Sequence, residues 1–200
     1  MRVAARIVET MHDRIVEIME PGVRKNDVVA EMYRTGSTGV AGHGGDYPAI
    51  VPLTPTGVDA SAAHLTWDDK PLEAGAGTFF EIAGVFHRYH VPQSRTVYLG
   101  APPQHFFDAE TALIDSIAAG LDAARPGATC QDMHRAFITE LRSHGFDKES
   151  RAGYSIGLSY PPDWGERNLS IREGDLTEFR PGMTVHFMPA LWQDDWGLEI

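Results

Sequence analysis

Residues 77–100 read GTFFEIAGVFHRYHVPQSRTVYLG. The stretch is rich in aromatic and β-branched residues and reads as β-structure. Within it Glu81 sits among Phe79, Phe80, Ile82, Ala83 and Val85. Strand alternation puts Phe79 and Ala83 on the same face as Glu81. A carboxylate buried in such a strand without a partner costs several kcal/mol, so it is either paired or its pKa rises. Two readings stand at this point. Glu81 faces solvent or a structural cation such as Arg95, or it is a site carboxylate acting as base or nucleophile. His87 and His90, three apart in VFHRYHV, would fall on opposite faces of one strand and read as surface histidines.

Upstream of this stretch the texture is helical. Val3, Ile7, Met11, Ile15 and Ile18 recur at spacings of three and four, with Arg6, Glu9, Asp13 and Glu17 between them, which predicts a helix over 3–19. Pro21-Gly22 stops it. Asn26 or Asp27 is the expected cap of a second helix running through Tyr33. Residues 36–49, GSTGVAGHGGDYPA, are glycine-rich but carry neither a P-loop nor a dinucleotide fingerprint, and read as a flexible connection. Residues 49–53, AIVPL, are again β-like.

Downstream, residues 106–124 and about 131–144 return to helix, with Pro126-Gly127 between them. GYSIGL (153–158), a proline-rich loop YPPDWGE (160–166) and the strand TVHFM (184–188) follow. Pro21-Gly22 with Asp27 and Pro126-Gly127 with Asp132 form an echo, each pair following an amphipathic helix and preceding another, 105 residues apart. Chance is one explanation of so common a dipeptide. A duplicated α+β unit with pseudo-twofold symmetry is the other, and it would place a site where the halves meet.

Composition narrows the function. Across 200 residues, 17 Lys and Arg stand against 28 Asp and Glu, a formal net charge of −11. That balance argues against tracking nucleic-acid phosphates or resting on anionic lipid, and favours a small-molecule or protein partner. Cys130 is the single cysteine, so neither a disulfide framework nor a cysteine zinc site can form within one chain. No apolar run is long enough to span a bilayer, and the charged N-terminal stretch lacks a signal-peptide core, so the cytoplasm is the expected compartment. Nine histidines invite a metal, yet no H-E-x-x-H occurs. His64, in SAAHLTWDD, precedes Glu81 by 17 residues. Tyr154 and the run from Tyr160 to Glu166 combine aromatic surface with Asp163 and Glu166, which suits a small cation or, equally, a rigid surface loop.

Taken in order, His64, Glu81 in a strand, SRTV at 94–97, GYSIGL at 153–158 and PGMTV at 181–185 resemble the motif order of the pita-bread family, which includes methionine aminopeptidase, prolidase and creatinase. The resemblance covers essentially the whole chain. It implies an α+β fold with duplicated halves around a curved antiparallel sheet, and a homodimer. It implies further that residues 1–200 are the catalytic domain without the family's N-terminal domain and cut short at the C-terminal end. Carried over one at a time, four metal positions of the family's peptidases fall on Glu81, Pro92, Tyr154 and Met188, and the fifth falls just beyond Ile200. Proline offers no side-chain donor and a thioether is too soft for hard divalent cations. No metal and no other cofactor is therefore expected.

GGDYPAIVPL, AHLTWDDKPL, GYSIGLSYPPDWGER and PGMTVHFM, with the 77–100 stretch, are similar to a metal-free branch of the family that opens the cyclic amidine ring of ectoine to an N-acetylated 2,4-diaminobutyrate. An amidinium carbon already shares positive charge, so a dication beside it would repel it, whereas one retained carboxylate attracts it. The roles implied are Glu81 as nucleophile or as base toward water, and His64 as proton shuttle to the leaving nitrogen. Tyr154 and Trp164 would shape the pocket, Asp163 or Glu166 would hold a ring N–H, and His186 is a further substrate-binding candidate. Alternatives are a creatinase-like hydrolase of another amidine or guanidine, a non-catalytic binding module, and a metal-dependent prolidase-type aminopeptidase.

Overall fold

In the computed structural model, which describes residues 1–200, the periodic apolar positions become two helices, α1 (Arg2–Ile18) and α2 (Lys25–Thr38). α1 buries Ile7, Val8, Met11 and Ile15 against Val28, Val29 and Met32 of α2 and against Phe80 and Ile82. Those two lie on β1 (Gly77–Phe86), which forms an antiparallel hairpin with β2 (Tyr89–Tyr98). Neither Asn26 nor Asp27 caps α2. The cap position is Arg24, without a side-chain bond, and Asn26 accepts from Arg24 Nε at 3.1 Å. The helix also runs past Tyr33 to Thr38.

The second half repeats the plan. α3 (Gln104–Ala123) and α4 (Cys130–Ser143) pack Ala109, Leu113, Met133, Phe137 and Leu141 into a second core. β3 (Gly153–Tyr160) pairs with β4 (Asp163–Ile171) and with the short β5 (Val185–Phe187). Here the helix is capped. Thr129 and Asp132 form a reciprocal capping box on α4.

The 105-residue echo is structural. Gly22 N–H donates to Leu72 O, Leu72 N–H to Val23 O and Lys25 N–H to Lys70 O. Gly127 N–H donates to Phe179 O, Phe179 N–H to Ala128 O and Cys130 N–H to Thr177 O. Each turn is thus pinned by the same three bonds to a returning segment, with Gly22 at φ +98° and Gly127 at φ +90°, a region open to glycine. The halves meet where β2 pairs with β3 at Tyr89 and Leu158. A ribbon of β6 (Ala190–Trp192) and β7 (Gly197–Glu199) lies beside them. No helix is long and apolar enough to cross a membrane.

Several expectations need correction. His87 and Arg88 do not belong to a strand. They form the two-residue turn between β1 and β2, at φ 50° and 65°, without the Asn-Gly signal such turns usually carry. His90 is fully buried, accepting from Ala49 N–H at Nε2 (3.0 Å) while Nδ1 contacts Arg88 O (2.9 Å). Asp163 to Glu166 belong to β4 and not to a loop, the turn being confined to the cis-linked Pro161-Pro162. The AIVPL segment forms no extended strand; only Leu53 bridges to Glu81. The glycine-rich segment is pinned to the end of β1, where Asp46 N–H donates to Val85 O (3.0 Å). A Cβ on Gly45 would collide with Gly36 O.

α1 crosses β1 at Gly84, where a Cβ would meet Ala4 O and lie 2.6 Å from Val8 N. Both are backbone atoms that cannot swing aside. Gly84→Ala is expected to destabilise the chain by about 3 kcal/mol, the upper range of overpacking effects, in urea unfolding.

Candidate active site

Both halves contribute to one cavity of about 610 Å³. Leu53, His64 and Glu81 come from the first half, and Arg151, Tyr154, Asp163, Trp164, Met188, Trp192 and Glu199 from the second. The strand pattern explains Glu81. Phe80 and Ile82 turn to the helices, while Ala83 and Val85 pack against Tyr154, Ile156 and Trp164 on the cavity side. The Glu81 backbone is held by two bonds to Leu53, both 3.0 Å, and faces Ser94 across the hairpin. Arg95 is not its partner; its Nη1 donates to Ser94 O. Glu81 is 6% exposed, and its carboxylate makes no hydrogen bond within the protein.

Glu199, which the reading of the sequence missed, is 3% exposed and lines the same cavity. The Thr96 hydroxyl fixes its backbone twice, donating to Glu199 O (2.8 Å) and accepting from Glu199 N–H (2.9 Å). Trp192 Nε1–H donates to Glu199 Oε1 at 3.1 Å. Behind that indole lies Lys148, its Nζ 3.9 Å from the ring centroid, buried and without a hydrogen-bond partner. Burial raises the pKa of Glu81 well above the carboxylate range, and the negative charge of Glu199 raises it further, against the opposing charges of Lys148 and Arg151. Burial raises Glu199 likewise. The Lys148 ammonium is pulled down to about 8, by burial above all.

The aromatic wall is internally bonded. Trp164 Nε1–H donates to the Tyr154 hydroxyl at 2.6 Å, and that hydroxyl lies 3.0 Å from His186 Nδ1. Burial lowers His186 to about 3, so it is neutral in its contact with the Tyr154 hydroxyl. Burial likewise holds Tyr154 well above its ordinary pKa, so the phenol keeps its proton. His186 therefore supports the wall from behind and does not line the cavity. Asp163 does line it, with Oδ1 taken by Gly165 N–H (2.9 Å) and Oδ2 by Arg167 Nε (2.8 Å). His64 stands on an exposed loop at the rim.

Glu166 does not reach the cavity. The β3–β4 register shifts between Ile156 and Tyr160, and Glu166 crosses β3 over Gly157, where its Oε1 accepts from Leu158 N–H at 3.2 Å. No sequence signal announced the shift. Glu199 could have been suspected as an acid next to the family's last metal position.

The donor set does not fit the two-metal centre of the family's peptidases. Pro92 pairs with Ala83 and offers no donor, Met188 presents a thioether, and the Tyr154 hydroxyl is engaged with Trp164 and His186. In the cavity no three His, Cys, Asp or Glu side chains bring ligand atoms within 4.8 Å of one another. Asp115, Glu140 and His144 do so, but on the α3–α4 surface, where His144 is already paired with both acids.

The sequence profile of Metallopeptidase family M24 matches residues 1–200. Among curated relatives, the chain is 56% identical over 206 residues to the ectoine hydrolase of Halomonas elongata, covering 100% of this chain and 52% of that protein. It is 40% identical to the uncharacterized hydrolase/peptidase y4tM of Sinorhizobium fredii, covering 100% of this chain and 51% of that one. The chain thus spans about half the length of the curated relatives it matches. The prolidase from Pyrococcus horikoshii superposes with a TM-score of 0.86 at 19% identity, over 98% of this chain and 55% of that one, which establishes likeness of fold.

The buried acids carry a pH signature. With folded pKa values above those of the unfolded chain, Glu81 and Glu199 keep protons that the unfolded state releases, so stability falls as pH rises from about 5 toward 8. The slope approaches about 1.4 kcal/mol per pH unit for each extra proton held. Glu81→Gln is expected to flatten this fall, gaining stability relative to the parent chain as pH rises, in urea titrations at pH 5, 6.5 and 8.

Proposed function

The chain belongs to metallopeptidase family M24, and from that premise we propose that it opens the cyclic amidine of ectoine by hydrolysis and does not cleave peptides. The observation that carries this is Glu81, a buried carboxylate with no protein hydrogen bond, in an aromatic-walled cavity whose other family metal positions hold Pro92, Tyr154 and Met188. The likeness to the H. elongata ectoine hydrolase supports the choice of substrate.

The chemistry follows from charge. A neutral peptide carbonyl needs an electrophile to polarise it. An amidinium brings its own positive charge, which one carboxylate in a low-dielectric site attracts strongly. Glu81 pairs with the ring amidinium and takes a proton from the water that adds to C2. The resulting tetrahedral carbon collapses with cleavage of one C2–N bond. The proton returns to the departing nitrogen through His64 at the rim, so amidinium and water become an amide and an ammonium with no net proton change. Tyr154 and Trp164, locked to each other, exclude water from the ring face, and Asp163, already held by Gly165 and Arg167, accepts from a ring N–H with a remaining lone pair. Glu199, sharing the local charge with Glu81, sets how readily Glu81 takes its proton.

Ring opening is followed by proton NMR on metal-stripped protein. Turnover is expected to persist in chelator, and Glu81→Gln is expected to lower kcat/KM by about 100-fold or more, the usual contribution of a general base. Near-parental turnover in that variant, or activity that vanishes in chelator and returns with a divalent metal, would overturn the proposal.

A further inference from the structure

Three acids and one arginine line the cavity. Asp163 is occupied by Gly165 and Arg167, and Glu199 by Trp192, with Lys148 behind the indole. Two ionisable groups are left without a protein partner. One is Glu81. The other is Arg151, which enters no hydrogen bond and no ion pair within 4.0 Å. An arginine has five N–H donors in a planar fork suited to a carboxylate. With no protein acceptor, those donors are free to meet a ligand that enters the cavity.

Arg151 is also held rigidly. Its guanidinium lies 4.1 Å over the Tyr154 ring. That ring is fixed by the bonds of its hydroxyl to Trp164 and His186. The neighbouring backbone is fixed by Ala152 N–H donating to Ile171 O at 2.8 Å. Glu81 and Arg151 therefore face one space, an acid and a guanidinium, with no hydrogen bond or ion pair between them. A ligand with a single charge would leave one of them unmet.

We propose that Arg151 binds a carboxylate of the substrate, so that the cavity selects a zwitterion with its cationic end on Glu81 and its anionic end on Arg151. Resting, for the cationic end, on the amidine hydrolysis proposed above, this makes Arg151 a specificity-determining residue. The substrate class is a cyclic amidine bearing a carboxylate, with the bare ring a poor ligand. With its carbon over the Tyr154 face and the residue lining the cavity, the guanidinium can offer two parallel N–H···O bonds to a carboxylate there.

The test compares two ligands on the same chain. One is ectoine. The other is 2-methyl-1,4,5,6-tetrahydropyrimidine, the same ring without its carboxylate. Calorimetric binding to the parent chain, Arg151→Met and Arg151→Lys is measured, with circular dichroism to verify folding. The parent is expected to bind ectoine at least about 10-fold more tightly than the bare ring, as one charge-assisted contact would give. Arg151→Met is expected to lose that preference while binding the bare ring as the parent does. Arg151→Lys is expected to keep part of it, since charge remains but the fork is gone. A parent that binds both ligands equally, or binds neither, overturns the proposal even if Arg151→Met fails to fold. So does a folded Arg151→Met that retains the preference. Turnover is scored separately. Selective ectoine binding without ring opening would sink the hydrolase reading and leave the carboxylate anchor standing; ring opening with unchanged KM in Arg151→Met would do the reverse.

Discussion

Placing a carboxylate in the middle of an apolar strand sets an electrostatic problem that much of the molecule is arranged around. Glu81 cannot be hydrated in the usual way, since Ala83 and Val85 flank its face and Tyr154 and Trp164 close the wall. A second acid, Glu199, is brought beside it by one threonine hydroxyl that serves as both donor and acceptor for the strand backbone. Two acids buried so close together disfavour each other's ionised form. The compensation is indirect. The Lys148 ammonium reaches the pair across an indole ring and not through a hydrogen bond, and the Arg151 guanidinium lies flat on a phenol. Cations held by ring faces offset the field without bonding to the carboxylates, so the Glu81 oxygens stay available to a ligand.

That arrangement separates the chain from the peptidases whose fold it shares. A dinuclear centre needs several hard donors converging on one point. Here the corresponding positions have become a ring nitrogen in the backbone, a thioether and a phenol already bonded to its neighbours. The cavity is built to hold charge apart, with acids and an arginine at different points of one wall, where a metal site would draw its ligands together. The two helix-lined cores, made from the helix faces and the opposite side of the sheet, stand apart from this exchange. Tyr154 and Trp164 of the cavity wall belong to a third, smaller cluster with Ala83, Val85 and Ile156.

Much of the architecture was legible in the residues because it depends on periodicity and punctuation. The four long helices follow their apolar spacing, and the two Pro-Gly turns follow from a proline that ends a helix and a glycine free to take positive φ. Glu81 was legible because a lone acid in an apolar strand is chemically anomalous. What escaped lay in register and long-range contact. The His87-Arg88 turn uses residues that rarely adopt positive φ, held there by the Arg88 side chain, whose fork donates to Tyr47 O and Ser159 O. Glu166 was drawn to the site by its nearness to Trp164 in sequence, and a shift of register carried it elsewhere. Glu199, Lys148 and Arg151 meet Glu81 only through tertiary packing of segments 67 to 118 residues away, which no local pattern encodes.

The two halves differ most in what joins their second helix to their first strand: residues 39–76 in one, residues 144–152 in the other. The short link carries Lys148 and Arg151, held almost rigidly between α4 and β3. The long one carries His64 and the rim. Symmetry-related positions of an ancestral repeat have thereby been assigned unlike tasks. A change in the long segment can reshape who enters without disturbing the sheet, whereas a change in the short one alters the charge of the chamber itself. Divergence among relatives should accordingly be lopsided, with insertions and substitutions accumulating in the first linker and the second remaining nearly invariant in length.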